Sequence, residues 1–123
     1  MERIALVACV KEKLNHAASA LEMYTGDSFK SWMSDAKANN VDHVYILSGK
    51  YGLLELNETI KPYDLNLGHQ DASYIENWKR SVISKLKSKH ILADTHAIIY
   101  TNEVYYEGLL DHFKSYEIPF QID

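Results

Sequence analysis

Apolar positions along the chain fall into two repeating patterns. Residues 3–10, RIALVACV, form a short unbroken apolar run with β-branched members, the signature of a strand buried on both faces. Residues 43–49 (HVYILSG) and 95–102 (THAIIYTN) repeat it and predict two more strands. Between these runs the apolar residues shift to helical spacing. The segment 27–40 places Phe29, Trp32, Met33 and Ala36 on one face, with Asp27 or Ser28 as its cap and Asn39-Asn40 as its end. The segment 71–90 carries Tyr74, Trp78, Val82 and Leu86 four residues apart, and its late lysines suit a helix carboxyl end. Helical spacing also predicts helices over 17–24 and over 103–116, the latter with Tyr106, Leu109, Leu110 and Phe113 on one side. A final strand is expected over 117–123, at a sheet edge because Pro119 cannot donate to a ladder.

Strand and helix alternate throughout. The order predicts an α/β fold: one three-layer domain over residues 1–123, with a mainly parallel four-stranded sheet and helices on both faces. Composition agrees with a single soluble core, at 46% hydrophobic and 24% charged residues. A formal net charge of −4 argues against a broad nucleic-acid coat and leaves room only for a local basic patch. One cysteine, Cys9, excludes an internal disulfide. With an amino terminus that reads as a strand and no apolar run of membrane-spanning length, a cytoplasmic protein without membrane association is expected.

Ligands of open parallel sheets bind beyond the carboxyl ends of the strands. Three segments qualify: Cys9 to Lys13 after the first strand, Ser48 to Gly52 after the second, and Tyr100 to Asn102 after the third. The stretch 46–68, ILSGKYGLLELNETIKPYDLNLG, is the densest. Gly49 and Gly52 permit tight backbone geometry, and successive N–H groups there could form an anion-binding nest with Ser48 and Lys50; a plain turn is the competing reading. Pro62-Tyr63-Asp64 presents a carboxylate beside a phenol, either as reacting groups or as anchors for a long loop. The six histidines and Cys9 lack the usual metal-ligand spacings, so no metal and no cofactor is expected; His16 and His69 fall on the ligand side. Trp32 and Trp78 lie on apolar helical faces and read as core.

Four ordered blocks carry a resemblance. C-x-K-x-K-L at residues 9–14, the element around Leu21 to Phe29, L-S-G-K-Y-G-L-L at 47–54 and P-Y-D-x-x-L at 62–67 resemble a family of small uncharacterised bacterial and phage proteins. The last two blocks are also similar to the signature of the peroxide-stress family YaaA, although Asp64 stands where the larger YaaA proteins tend to carry Arg. The resemblance covers roughly residues 5–68 and implies work on nucleotides or nucleic acid. It points to Cys9, Lys11, Lys13, Tyr24, Ser48, Gly49, Tyr51 and Gly52 as ligand-binding, alongside Asn102 from the third strand end. On this reading Asp64, Tyr63 and Lys50 are catalytic, and Glu12 is available as a second carboxylate. An enzyme acting at a glycosidic or phosphate-ester bond of a nucleotide is the leading expectation. A non-catalytic binder of DNA or nucleotide is the alternative, and an interaction protein with no small-molecule site is the third.

Overall fold

Strand β1 (Glu2–Ala8) organises the molecule. Its alternating side chains serve two separate cores, since successive residues of a strand point to opposite faces. Ile4 and Leu6 pack with Trp78, Val82, Ile83 and Leu86 of α3 (Ala72–Lys89). Ala5 and Val7 pack with Phe29, Trp32, Met33 and Ala36 of α2 (Asp27–Ala38). Ile4, Leu6 and Val7 are wholly buried, and each such side chain contributes about 1.5–3 kcal/mol. That is why the run 3–10 is continuously apolar rather than alternating.

This computed structural model describes residues 1–101 and 108–119. Within them, β1 lies between β3 (His43–Ser48) and β6 (Thr95–Tyr100), parallel to both. The sheet order is β4-β3-β1-β6-β7, with β4 (Gly52–Glu55) antiparallel to β3 and β7 (Ser115–Glu117) parallel to β6. The fold is therefore mixed α/β with a mainly parallel sheet, but of five strands where four are expected from the sequence. The additional strand is β4. It closes a hairpin on β3 through Gly49-Lys50-Tyr51, and Gly52 takes the left-handed conformation (φ 75°) that suits such a short connection. A small separate ladder pairs β2 (Ala18–Ser19) with β5 (Thr59–Ile60).

Three further expectations change. Helix 17–24 shrinks to α1 (Ala20–Met23), because Ala20 and Leu21 donate their backbone N–H groups to Glu58 and Leu56 before a longer helix can close. Ser19 caps what remains by accepting from Glu22 N–H. The helix expected over 103–116 is replaced, within the described residues, by Gly108 at φ 85°, a 3-10 turn at Leu110–His112 and the strand β7. The final strand thus starts earlier than 117: Ser115 and Glu117, two apart, both hydrogen-bond the His96 ring on the neighbouring strand. No described helix is long and apolar enough to cross a membrane.

Candidate functional site

Connections diverge between β1 and β6. The chain leaves β1 toward β3 on one side and leaves β6 toward β7 on the other, so a crevice opens between their carboxyl ends. A cavity of about 610 Å³ lies there. Cys9 to Lys13 line it from the end of β1, Leu47 and Gly49 from β3, and Ile99 and Thr101 from β6. Gly26, Asp27 and Ser28 at the amino end of α2 form a further wall, and Asp64 to Leu67 with His69 complete it. Trp78 contributes from α3, so this tryptophan is core and cavity wall at once.

Of the residues singled out from the sequence, Cys9, Lys11, Glu12, Lys13, Gly49, Asp64 and His69 converge on this cavity. Asn102 lies outside the described residues. Tyr24, Ser48, Lys50, Tyr51, Gly52 and Tyr63 are not among its lining residues, and several have a visible structural task. The Tyr63 hydroxyl sits 2.7 Å from the Tyr24 hydroxyl and 2.7 Å from Ser48 Oγ. Ser48 Oγ in turn accepts from the backbone N–H groups of Lys50 (3.3 Å) and Tyr51 (3.0 Å). Those are the N–H groups of the expected anion nest. The protein's own serine already fills it, and Gly49 has no positive φ. From the opposite side, Trp78 Nε1–H donates to the Ser48 carbonyl (2.7 Å) and the Tyr74 hydroxyl to that of Gly49 (2.8 Å).

Burial pushes the Tyr24 phenol up to about 12 and raises Tyr63 well beyond its ordinary range, with the neighbouring Cys9 adding to both shifts. Both phenols are therefore neutral hydrogen-bonding groups at physiological pH. Lys13 is likewise engaged. Its ammonium donates to the carbonyls of Val10 and Lys11 (3.1 Å each) and lies 4.6 Å from the Tyr63 ring centroid. It ties the loop after β1 to the Tyr63 segment, and Asp64, next in sequence, is thereby held at the cavity. Lys50 stacks over Tyr51 instead, with Nζ 5.4 Å from the ring centroid.

The uncommitted groups are different ones. Lys11, Glu12, Asp27, Asp64 and His69 line the cavity with no side-chain hydrogen bond or ion pair to another described residue. Glu12 lies against the amino end of α2, its Oε2 3.0 Å from where a Cβ on Gly26 would stand, so a side chain there would push the carboxylate aside by a few tenths of an ångström. Asp27 and Ser28 read as cap residues in sequence, and nothing in their spacing marks them as walls. His69 is reached by a 3-10 turn, Leu67–His69, capped by Asn66, whose side chain accepts from Gly68 N–H at 2.9 Å. His16, by contrast, lies outside the cavity, its ring bonded to the Ala17 carbonyl.

Residues 4–122 match a family of unknown function, DUF6884. Among curated proteins, the chain is similar to a UPF0246 protein of Rickettsia rickettsii (strain Iowa), 26% identical over 114 residues. A UPF0246 protein of Rickettsia africae (strain ESF-5) is 28% identical over 114 residues. Each alignment covers 78% of this chain and 46% of the relative, so the chain spans about half the length of the curated relatives it matches. UPF0246 proteins are the YaaA family, so the relationship to that family holds at the level of distant similarity. No solved structure matches the chain.

Proposed function

Because the chain belongs to the DUF6884 family, whose function is unknown, its activity has to be read from its own groups, and we propose a hydrolase acting at the glycosidic bond of a nucleoside or nucleotide. The observation that carries this reading is the convergence of uncommitted carboxylates, Asp64 and Glu12 with Asp27, on one cavity that also holds Lys11 and His69. Of the two bonds considered, charge favours the glycosidic one. Breaking a C1′–N bond builds positive charge on the sugar, which carboxylates stabilise. Phosphoryl transfer gathers negative charge, and here it would do so among three carboxylates with Lys13 already engaged.

In this mechanism Asp64 faces the oxocarbenium-like sugar as the C1′–N bond breaks. Glu12 takes a proton from the attacking water, whose oxygen bonds C1′. His69 donates the proton that the departing base requires. Lys11 meets the phosphate of a nucleotide substrate, while Tyr63 and Lys13 position Asp64 without touching the reacting atoms.

Base release from a panel of ribo- and deoxyribonucleosides, their monophosphates and modified-base analogues, followed chromatographically, tests the proposal. Asp64→Asn and Glu12→Gln are each expected to lower turnover by about 100-fold or more with an unchanged melting temperature. Lys11→Ala should raise KM for monophosphates and leave nucleosides unaffected. Failure to release any base, or full activity in Asp64→Asn, overturns it. A thermal shift confined to oligonucleotides would favour a non-catalytic nucleic-acid binder.

A further inference from the structure

At the opposite edge of the sheet, three potential ligands come together from distant parts of the chain. Glu2 opens β1 and His43 opens β3; the strands are parallel, with Ile4 paired to His43. His90 caps the carboxyl end of α3, its backbone N–H bonded to the Leu86 carbonyl at 2.8 Å. Glu2 reaches both imidazoles, with Oε1 2.5 Å from His90 Nδ1 and Oε2 3.4 Å from His43 Nε2. One ligand atom from each of the three residues lies within 4.8 Å of the other two. We propose that Glu2, His43 and His90 form a divalent transition-metal site, with zinc as the fitting ion.

The donor chemistry supports this assignment. Two imidazole nitrogens and one carboxylate oxygen are an established catalytic zinc set, and a tetrahedral shell needs donors about 3.3 Å apart. The His43 contact is to Glu2 Oε2 and the His90 contact to Oε1, so metal binding would turn the carboxylate to present one oxygen and draw the two imidazole nitrogens, which lie within 4.8 Å, to that spacing. The His90 side chain is only 2% exposed, whereas those of Glu2 and His43 are 36% and 49% exposed. A metal would therefore be anchored on a buried imidazole and keep an open position toward solvent.

Tyr45 supplies the supporting contact. Its hydroxyl lies 2.6 Å from His90 Nε2. A hydroxyl both donates and accepts. With no metal, Nδ1–H donates to Glu2 while Tyr45 donates to Nε2. With metal on Nδ1, the ring proton sits on Nε2, and that N–H donates to the Tyr45 hydroxyl oxygen. The ring changes tautomer without losing that bond, which is the outer contact that orients a ligating histidine. Spacing rules miss the cluster because its members lie 41 and 47 residues apart (43 − 2 and 90 − 43).

The test titrates the full chain with ZnCl2 by calorimetry and with CoCl2 by visible absorption. One equivalent should bind, and the cobalt complex should show the intense d–d bands of a four-coordinate ion. His43→Ala, which removes a half-exposed side chain, and Glu2→Gln should each weaken binding at least 10-fold, while His112→Ala should leave it unchanged. Tyr45→Phe should weaken it by about 10–100-fold, the effect of losing an outer contact. Absence of stoichiometric binding overturns the proposal. So does undiminished binding by both His43→Ala and Glu2→Gln, which would place the ion elsewhere.

Discussion

Tyr63 shows how a motif residue can be tied into the fold beside a cavity. Its hydroxyl joins Tyr24 to Ser48, and Ser48 holds the turn that begins β4. Tyr63→Phe deprives both neighbours of a buried partner and should destabilise the fold by about 1–3 kcal/mol in denaturant titration, with a loss of activity that follows the displacement of Asp64. Alkaline titration offers a second check. The folded state raises Tyr24 from 10.0 to about 12, so it holds this proton more tightly than the unfolded chain. The stabilisation is complete below pH 10 and is lost as pH rises toward 12. Tyrosinate absorbance should therefore show a late step near 12, to which the buried Tyr100 also contributes, and Tyr24→Phe should shrink it. Titration of all nine tyrosines together near 10 would contradict the closed hydroxyl chain.

At the scale of elements, the β3–β4 hairpin separates two jobs of glycine. Gly52 has a positive φ and room around it, a Cβ there standing 3.6 Å from Ser81 Oγ. Gly52→Ala should cost about 1–2 kcal/mol from backbone strain alone, measured as a lower unfolding midpoint. Gly49 has ordinary φ but close walls, with a Cβ 3.2 Å from Leu65 Cδ2. Gly49→Ala should push the Asp64–Leu67 wall and lower ligand affinity more than stability, a contrast that binding and melting data on the two variants would reveal. Helices α2 and α3 were legible because both periods survive in long segments. Strands β4 and β5 were not: they span four and two residues, too few for a period, and long-range pairing specifies them, whereas β7 was expected at a sheet edge but begins two residues earlier than its sequence suggests.

For the whole molecule, the sheet divides chemistry between its two edges. Its carboxyl edge gathers Glu12, Asp27 and Asp64, whose side chains have no hydrogen-bond or ion-pair partner among the described residues, so they contribute little to holding the fold. Neutralising Asp64 should leave stability within about 0.5 kcal/mol or raise it slightly while removing function. A clear fall in melting temperature for Asp64→Asn would instead make that residue a structural anchor. Seven of the residues taken from the sequence line this cavity, and Lys13 among them is committed to the loop itself. Asp27 and Ser28 join only because the amino end of α2 is folded against the end of β1.

Local order alone therefore determined the α/β class, the parallel strands β1, β3 and β6, and the helices α2 and α3, because burial imposes periods that are written in consecutive residues. The same local order drew attention to residues 9–13 and 47–67, where glycines, tyrosines and charges crowd together. Tertiary structure alone decided which of those residues meet and what they contact. Hydrogen bonds engage Ser48, Tyr63 and Lys13 within the fold, and packing brings Asp27 and Ser28 to the cavity wall. The grouping of Glu2 with His43 and His90 has the same origin, since strand register and a helix end, rather than distance along the chain, set which side chains meet.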